Sequence, residues 1–267
     1  MRPVLRYHGG KWLLAPWIIS HFPPHRVYVE PFGGAASVLL RKERSYAEVY
    51  NDLDGEIVNV FRVLRESPEL LLRALELTPF ARDEFVESYT PAEDRIDQAR
   101  RTVVRSYLGF GSNSHNKKTG FRANSNRSGT TPAHDWQHFP ECLKETIERL
   151  RGVVIENRDA LAVMASHDGP DTLYYCDPPY APETRDAGGD YRHELTPEDH
   201  GSLLVFLRGL QGYVILSGYP SSVYDDGLPG WLRINKTARA DGARLRTECL
   251  WISPRTQLAM PQGRLDL

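Results

Sequence analysis

The sequence predicts an α/β fold, a doubly wound sheet with a mostly helical insertion, and three observations carry that prediction. Short apolar, β-branched or aromatic runs recur, and several end in an acid, as the tips of buried strands in open sheets commonly do. Segments with helical spacing of apolar residues lie between them. Between residues 67 and 150 that alternation stops, and helical patterns and a basic polar stretch replace it.

Taken in order, Arg26-Val27-Tyr28-Val29-Glu30 reads as a strand, and Pro31-Phe32-Gly33-Gly34-Ala35-Ala36 turns into a helix opening at Ser37-Val38-Leu39-Leu40. Strand, glycine turn, helix is the layout of a nucleotide-type ligand site, because glycine lets the backbone approach a ligand. The turn is neither G-x-G-x-x-G nor a P-loop ending in Gly-Lys-Ser/Thr, so phosphate binding is not indicated. Ala47-Glu48-Val49-Tyr50 is a second strand with Asn51-Asp52 at its tip, where an acid commonly holds ribose hydroxyls. Residues 53–66 continue as a helix through Ile57, Val58, Phe61, Val63 and Leu64. In the insertion, helices are expected around Leu70-Leu71-Leu72 and Leu75, over 91–107 and over 142–150.

Alternation resumes with the strand Val153-Val154-Ile155-Glu156, Asp159 just beyond it, and a helix over 160–167. Leu173-Tyr174-Tyr175-Cys176 is a buried strand. Thr196-Pro197-Glu198-Asp199 has N-cap and first-turn chemistry for a helix through Leu203, Leu204, Phe206, Leu207 and Leu210. Tyr213-Val214-Ile215-Leu216 is a further strand, and residues 231–234 and 248–252 form a closing antiparallel pair. The expected domains are 1–66 with 151–267, and the inserted 67–150.

Chemistry concentrates in Asp177-Pro178-Pro179-Tyr180, directly after a buried strand. The two prolines fix φ twice and remove two backbone donors, so their carbonyls stay available as rigid acceptors. Tyr180 adds a flat aromatic face. Two acceptors beside a stacking surface suit a planar ring carrying an exocyclic NH2, and a nucleobase amino group fits. The competing reading of these four residues is a proline-stiffened loop capped by an aspartate.

Composition is that of a globular protein, 40% hydrophobic and 25% charged, and no apolar run approaches bilayer length. The N-terminus carries no signal-peptide pattern, so the cytoplasm is the expected location and no membrane partner is expected. Cys142, Cys176 and Cys249 have no C-x-x-C spacing and the nine histidines no ligand spacing, so neither a metal site nor a disulfide framework is suggested. The net charge of −2 argues against nucleic-acid binding by bulk charge. The distribution says more. No acid lies between Asp97 and Asp135, while Arg100, Arg101, Arg105, Lys117, Lys118, Arg122 and Arg127 all do, among Asn, Ser and Gly. Lys117, Lys118, Arg122, Asn124, Asn126 and Arg127 are the candidates for phosphate and base contacts, on a hairpin or loop. A solvated basic loop is the competing reading.

Together and in order, these pieces resemble the Dam-like, amino-directed DNA adenine methyltransferases. Tyr7-His8-Gly9-Gly10-Lys11 resembles their N-terminal Y-x-G-G-K element, Val29-Glu30-Pro31-Phe32-Gly33-Gly34 their cofactor loop, and Asp177 to Tyr180 their D-P-P-Y. Asn51-Asp52, Leu216-Ser217-Gly218-Tyr219 and Arg246-Thr247-Glu248-Cys249-Leu250-Trp251 match the remaining strand ends. The resemblance implies a Rossmann-like, S-adenosylmethionine-dependent methyltransferase sheet with a helical target-recognition insertion. It implies N6 methylation of a flipped-out adenine in double-stranded DNA by a monomer, without metal. It would set Tyr7 and Lys11 against the methionine part of the cofactor, Glu30 and Pro31, Phe32, Gly33 and Gly34 at its amino-acid end, Asp52 on the ribose and Asp159 near the adenine. Asp177 would serve both cofactor and catalysis with Pro178, Pro179 and Tyr180. For Asp159, capping of a helix is an equal alternative.

Methylation of cytosine N4 uses the same chemistry, although Asp177 stands where the related cytosine enzymes more often carry serine. Methylation at cytosine carbon 5 needs a cysteine nucleophile typically placed after proline, and neither Cys176 nor Cys142 is so placed. RNA has no positive signal. A non-catalytic nucleic-acid-binding protein on the same scaffold would predict erosion of the D-P-P-Y or the glycine turn, and both are intact. A dinucleotide-dependent dehydrogenase lacks its glycine fingerprint here.

Overall fold

The computed structural model describes residues 1–124, 129–184, 191–239 and 245–260. It divides into two compact units, a sheet unit of Lys11–Leu53 with Gly152–Leu267 and a helical unit of Met1–Gly10 with Asp54–Arg151.

In chain order, α1 (Ala15–Ile19) precedes β1 (Val27–Glu30), and the glycine turn winds into α2 (Ser37–Arg41) before β2 (Ala47–Asn51). The chain then runs through the helical unit as α3 (Gly55–Glu66), α4 (Pro68–Leu77), α5 (Arg82–Glu87), α6 (Arg95–Leu108), α7 (Pro132–Gln137) and α8 (Phe139–Leu150). It returns as β3 (Val153–Glu156), α9 (Ala160–Ser166), β4 (Thr172–Cys176), α10 (Pro197–Gly209) and β5 (Tyr213–Gly218). The last elements are α11 (Ser222–Gly227), β6 (Leu232–Arg239), β7 (Leu245–Ile252) and α12 (Pro254–Ala259).

The sheet has the order β3-β2-β1-β4-β5-β7-β6, with β7 antiparallel to both of its neighbours and the other pairs parallel. Every residue of β4 is buried, as a parallel strand covered on both faces requires. Val29, Val49, Tyr174, Cys176, Leu216 and Trp251 form the middle of its core. Strand order reverses between β1 and β4, and at such a switch point connections leave in opposite directions and open a crevice at the carboxyl ends. Asp177 follows β4 there.

Among the differences from the expected elements, two have simple causes. The helix expected from residue 53 starts at Gly55, because the Asp54 carboxylate accepts the Glu56 N–H at 3.0 Å and caps it. That helix also packs on α6 and so belongs to the helical unit, which is longer than the expected 67–150. The first ten residues join it too: the Arg6 N–H donates to Ser106 Oγ at 2.6 Å and the Ser106 hydroxyl donates back to the Arg6 carbonyl at 3.0 Å. Among the described residues no helix is long and apolar enough to cross a membrane, and no group of His, Cys, Asp and Glu could hold a metal ion.

Candidate active site

At the tip of β4 the Asp177 carboxylate is half-buried and asymmetric. Its Oδ2 lies 3.0 Å from Lys11 Nζ, whereas its Oδ1 is buried without a hydrogen bond. A buried oxygen left without a donor costs about 1–3 kcal/mol, so the position favours an incoming N–H. Burial raises the Asp177 carboxyl above its ordinary value, with Lys11 opposing. Burial alone would lower Lys11, but the Asp177 and Glu248 carboxylates hold it above its ordinary value, a fixed cation. Pro178, buried, and Pro179, half-buried, lead to Tyr180.

Tyr180 is 4% exposed. Lys11 Nζ lies 4.8 Å from its centroid, the Tyr219 ring meets it edge-on at 4.5 Å, and its hydroxyl donates to Glu248 Oε2 at 2.8 Å. The ring is therefore anchored within the unit rather than projecting from it. Glu248 lies within the Arg246–Trp251 stretch of the resemblance but takes no role there, because its partner lies 68 residues away; an acid beside an otherwise apolar strand end, Cys249-Leu250-Trp251-Ile252, was the available signal.

The glycine turn is drawn tightly onto β2. A Cβ on Gly33 would stand 2.2 Å from the Tyr50 ring, so only glycine fits. The Gly33 N–H donates to the Asn51 carbonyl at 2.7 Å, the Gly34 N–H to Asp52 Oδ2 at 2.7 Å, and Tyr50 Oη to the Gly34 carbonyl at 2.8 Å. The two donors that a phosphate cradle would use are thus engaged. The Pro31 carbonyl accepts from Asn51 Nδ2 at 2.9 Å, and Phe32 packs half-buried against the core. Glu30 is buried beneath the turn, its Oε2 accepting the Tyr28 hydroxyl at 2.7 Å and the Leu39 N–H at 2.9 Å. Burial pushes its carboxyl up to about 8.

The remaining candidates are placed as follows. Asp159 is exposed and caps α9, accepting the Ala162 N–H at 2.9 Å. Tyr7 lies in the helical unit, stacked on His115 with ring centroids 4.6 Å apart. A bridge between Gly109 and Phe121 closes the basic loop; Lys117 and Lys118 are exposed along it and Asn124 is exposed just beyond the bridge. Arg122 donates from its guanidinium to the Tyr107 carbonyl at 2.9 Å, which ties it to the loop's base. Asn126 and Arg127 lie outside the described residues. Arg100, Arg101 and Arg105 are paired with Glu84, Asp97 and Glu56. Their charge is answered inside the unit.

Residues 7–225 match the family described as D12 class N6 adenine-specific DNA methyltransferase. A DNA adenine methylase of Vibrio cholerae serotype O1 is 28% identical over 191 residues, 68% of this chain. The matched stretch is 66% of that protein's length, just under two thirds. The DNA adenine methylase of Escherichia coli K12 is 27% identical over 226 residues, 78% of this chain and 76% of that one. That of Serratia marcescens is 29% identical over 193 residues, 68% and 67% of the two chains. The family match begins at the Tyr7 element and runs past the tips of β1, β2, β4 and β5, so the chain belongs to the D12 class of N6 adenine-specific DNA methyltransferases.

Proposed function

We propose that the chain transfers a methyl group from S-adenosylmethionine to the N6 amino group of an adenine flipped out of double-stranded DNA, and that it acts as a monomer. The observation that carries the reading is the Asp177 carboxylate at the switch point between β1 and β4, its buried Oδ1 not engaged by Lys11, followed at once by Pro178. An adenine amino nitrogen is a poor nucleophile because its lone pair is delocalised into the ring. Asp177 Oδ1 accepts a hydrogen bond from one of its N–H groups and the Pro178 carbonyl from the other, which favours a pyramidal nitrogen with a localised pair, and the methylated nitrogen then gives up its surplus proton to the Asp177 carboxylate. Lys11 keeps the Asp177 carboxylate charged while it does so, and Tyr180 aligns the base. Since the Tyr180 ring is covered and Lys11 is held on Asp177, stacking on its face needs Tyr219 to swing aside.

S-adenosylmethionine, when bound, supplies an electrophilic methyl on a sulfonium. The residues fit such a cationic donor: carboxyls stand just beyond β2 and β4, and the engaged turn amides offer nothing to a phosphate. Asp52 would hold the ribose, Asp159 the adenine edge, and the turn from Pro31 to Gly34 the amino-acid end. Glu30 would act from beneath by shaping the turn. Holding the reacting centres in near-attack geometry supplies much of the acceleration, and extracting the base from its stack costs a few kcal/mol. Lys117, Lys118 and Asn124 on the helical unit would contact the DNA.

Nucleoside analysis of unmethylated DNA incubated with the protein and S-adenosylmethionine tests the reading, with Asp177→Ala as control. N6-methyladenine that vanishes in the control is expected. N4-methylcytosine, or no product from DNA of varied sequence with cofactor binding confirmed, would overturn it.

A further inference from the structure

We propose that Glu248, on β7, is a positioning residue for this methyl transfer: its carboxylate holds the Tyr180 hydroxyl and, through it, sets the ring beside Asp177. The inference rests on the methyltransferase reading and adds to it a residue outside the D-P-P-Y.

Glu248 is buried although it lies on the sheet's antiparallel extension and pairs across the hairpin with the exposed Lys236. A carboxylate is rarely buried without a partner that needs it. Here the partner is Tyr180, donating at 2.8 Å. The Tyr180 side chain also stabilises the Asp177 carboxylate, and two further contacts of the ring are of a different kind. A cation at 4.8 Å and an edge-on ring at 4.5 Å restrain its tilt yet let it slide within its own plane. A hydrogen bond at the far end of the long axis removes that freedom. The position of Glu248 is itself set by backbone pairing: Cys249 stands opposite Gly218 at the tip of β5, so Glu248 is the next residue beyond it. Its charge also bears on the adjacent pair, helping to keep Lys11 protonated and making Asp177 more basic. Glu248 acts through these side chains, not on the reacting atoms.

A double-mutant cycle on the whole protein tests this, comparing wild type, Glu248→Ala, Tyr180→Phe and the double variant for kcat and for KM of S-adenosylmethionine. Glu248→Ala is expected to lower kcat at least about tenfold with KM within about threefold. The double variant should fall no further than the weaker single one. Glu248→Gln keeps an acceptor oxygen and should recover most of the loss. Additive losses, an unchanged kcat in Glu248→Ala, or a folded Glu248→Gln as poor as the alanine variant would overturn the inference. The same cycle run on urea denaturation reads the Glu248–Tyr180 contact without any turnover, and purely additive stabilities there would also overturn it. A wild-type protein that makes no N6-methyladenine but shows the stability coupling would sink the methyltransferase reading and leave the contact standing.

Discussion

Glu30 and Asp177 are carboxyls at adjacent strand tips, yet their surroundings give them different work. Glu30 is enclosed with Tyr28 and the Leu39 amide, with the Lys42 charge only a minor counterweight to burial; Asp177 has Lys11 at 3.0 Å. Glu30 titrates at about 8 in the fold against an ordinary 4.5, so folding takes up its proton. Its contribution to stability is full below pH about 4.5 and is lost as pH rises through about 8. Urea midpoints should therefore fall over that window in the wild type, and Glu30→Gln, which keeps an acceptor for both donors, should flatten the fall. Equal slopes in the two proteins would assign the effect elsewhere. Lys11→Met makes the converse case. Without the ammonium the Asp177 carboxyl rises further, so the acid limb of kcat should move to higher pH and kcat should drop by about tenfold or more. A pH–rate profile with an unmoved acid limb would separate Lys11 from the ionisation of Asp177.

At the scale of elements, the β1–turn–α2 unit depends on one missing side chain. Gly33→Ala would drive a methyl into the Tyr50 ring and the Asn51 carbonyl, at 2.2 and 2.9 Å, and should cost about 1–3 kcal/mol or more in thermal or urea unfolding. The cap of α9 is a milder case. Asp159→Ala should cost about 1 kcal/mol, while Asp159→Asn should cost little because it still caps; a raised KM for S-adenosylmethionine in the asparagine variant would report a ligand contact beyond the cap. These strand–turn–helix units were legible in the sequence because each couples a buried run to a turn residue only a few positions away. The strands at 27–30, 47–51, 153–156, 172–176 and 213–218 lie within two residues of their expected ends. α1, α5, α7, α11 and α12 were not legible, since helices of five or six residues contain too little of a 3.6-residue period to stand out. The arginines of α6 were misleading for the same reason of range. Their run is free of acids in sequence, but Glu56, Glu84 and Glu87 reach them from α3 and α5. Glu248 was hidden likewise.

For the whole molecule, a net charge of −2 and three internally paired arginines leave little diffuse attraction for DNA. The exposed lysines of the basic loop should then matter disproportionately. Lys117→Ala with Lys118→Ala is expected to weaken binding to specific and unrelated duplexes alike, and to reduce the slope of log affinity against log salt by about two. A loss confined to one sequence would make these lysines base readers rather than phosphate contacts.

Cys176, fully buried in the residue before Asp177, has its thiol pushed well above its ordinary value by burial, while Cys142 is half-buried. Thiol reagents attack the thiolate, so Cys176 is protected twice, by lack of access and by lack of ionisation. A silent clock thereby sits beside the Asp177 carboxylate. The slow rate at which that one sulfur becomes modified in native protein times the spontaneous opening of β4. A bound methyl donor or duplex should lengthen that interval in proportion to how firmly it holds the strand closed.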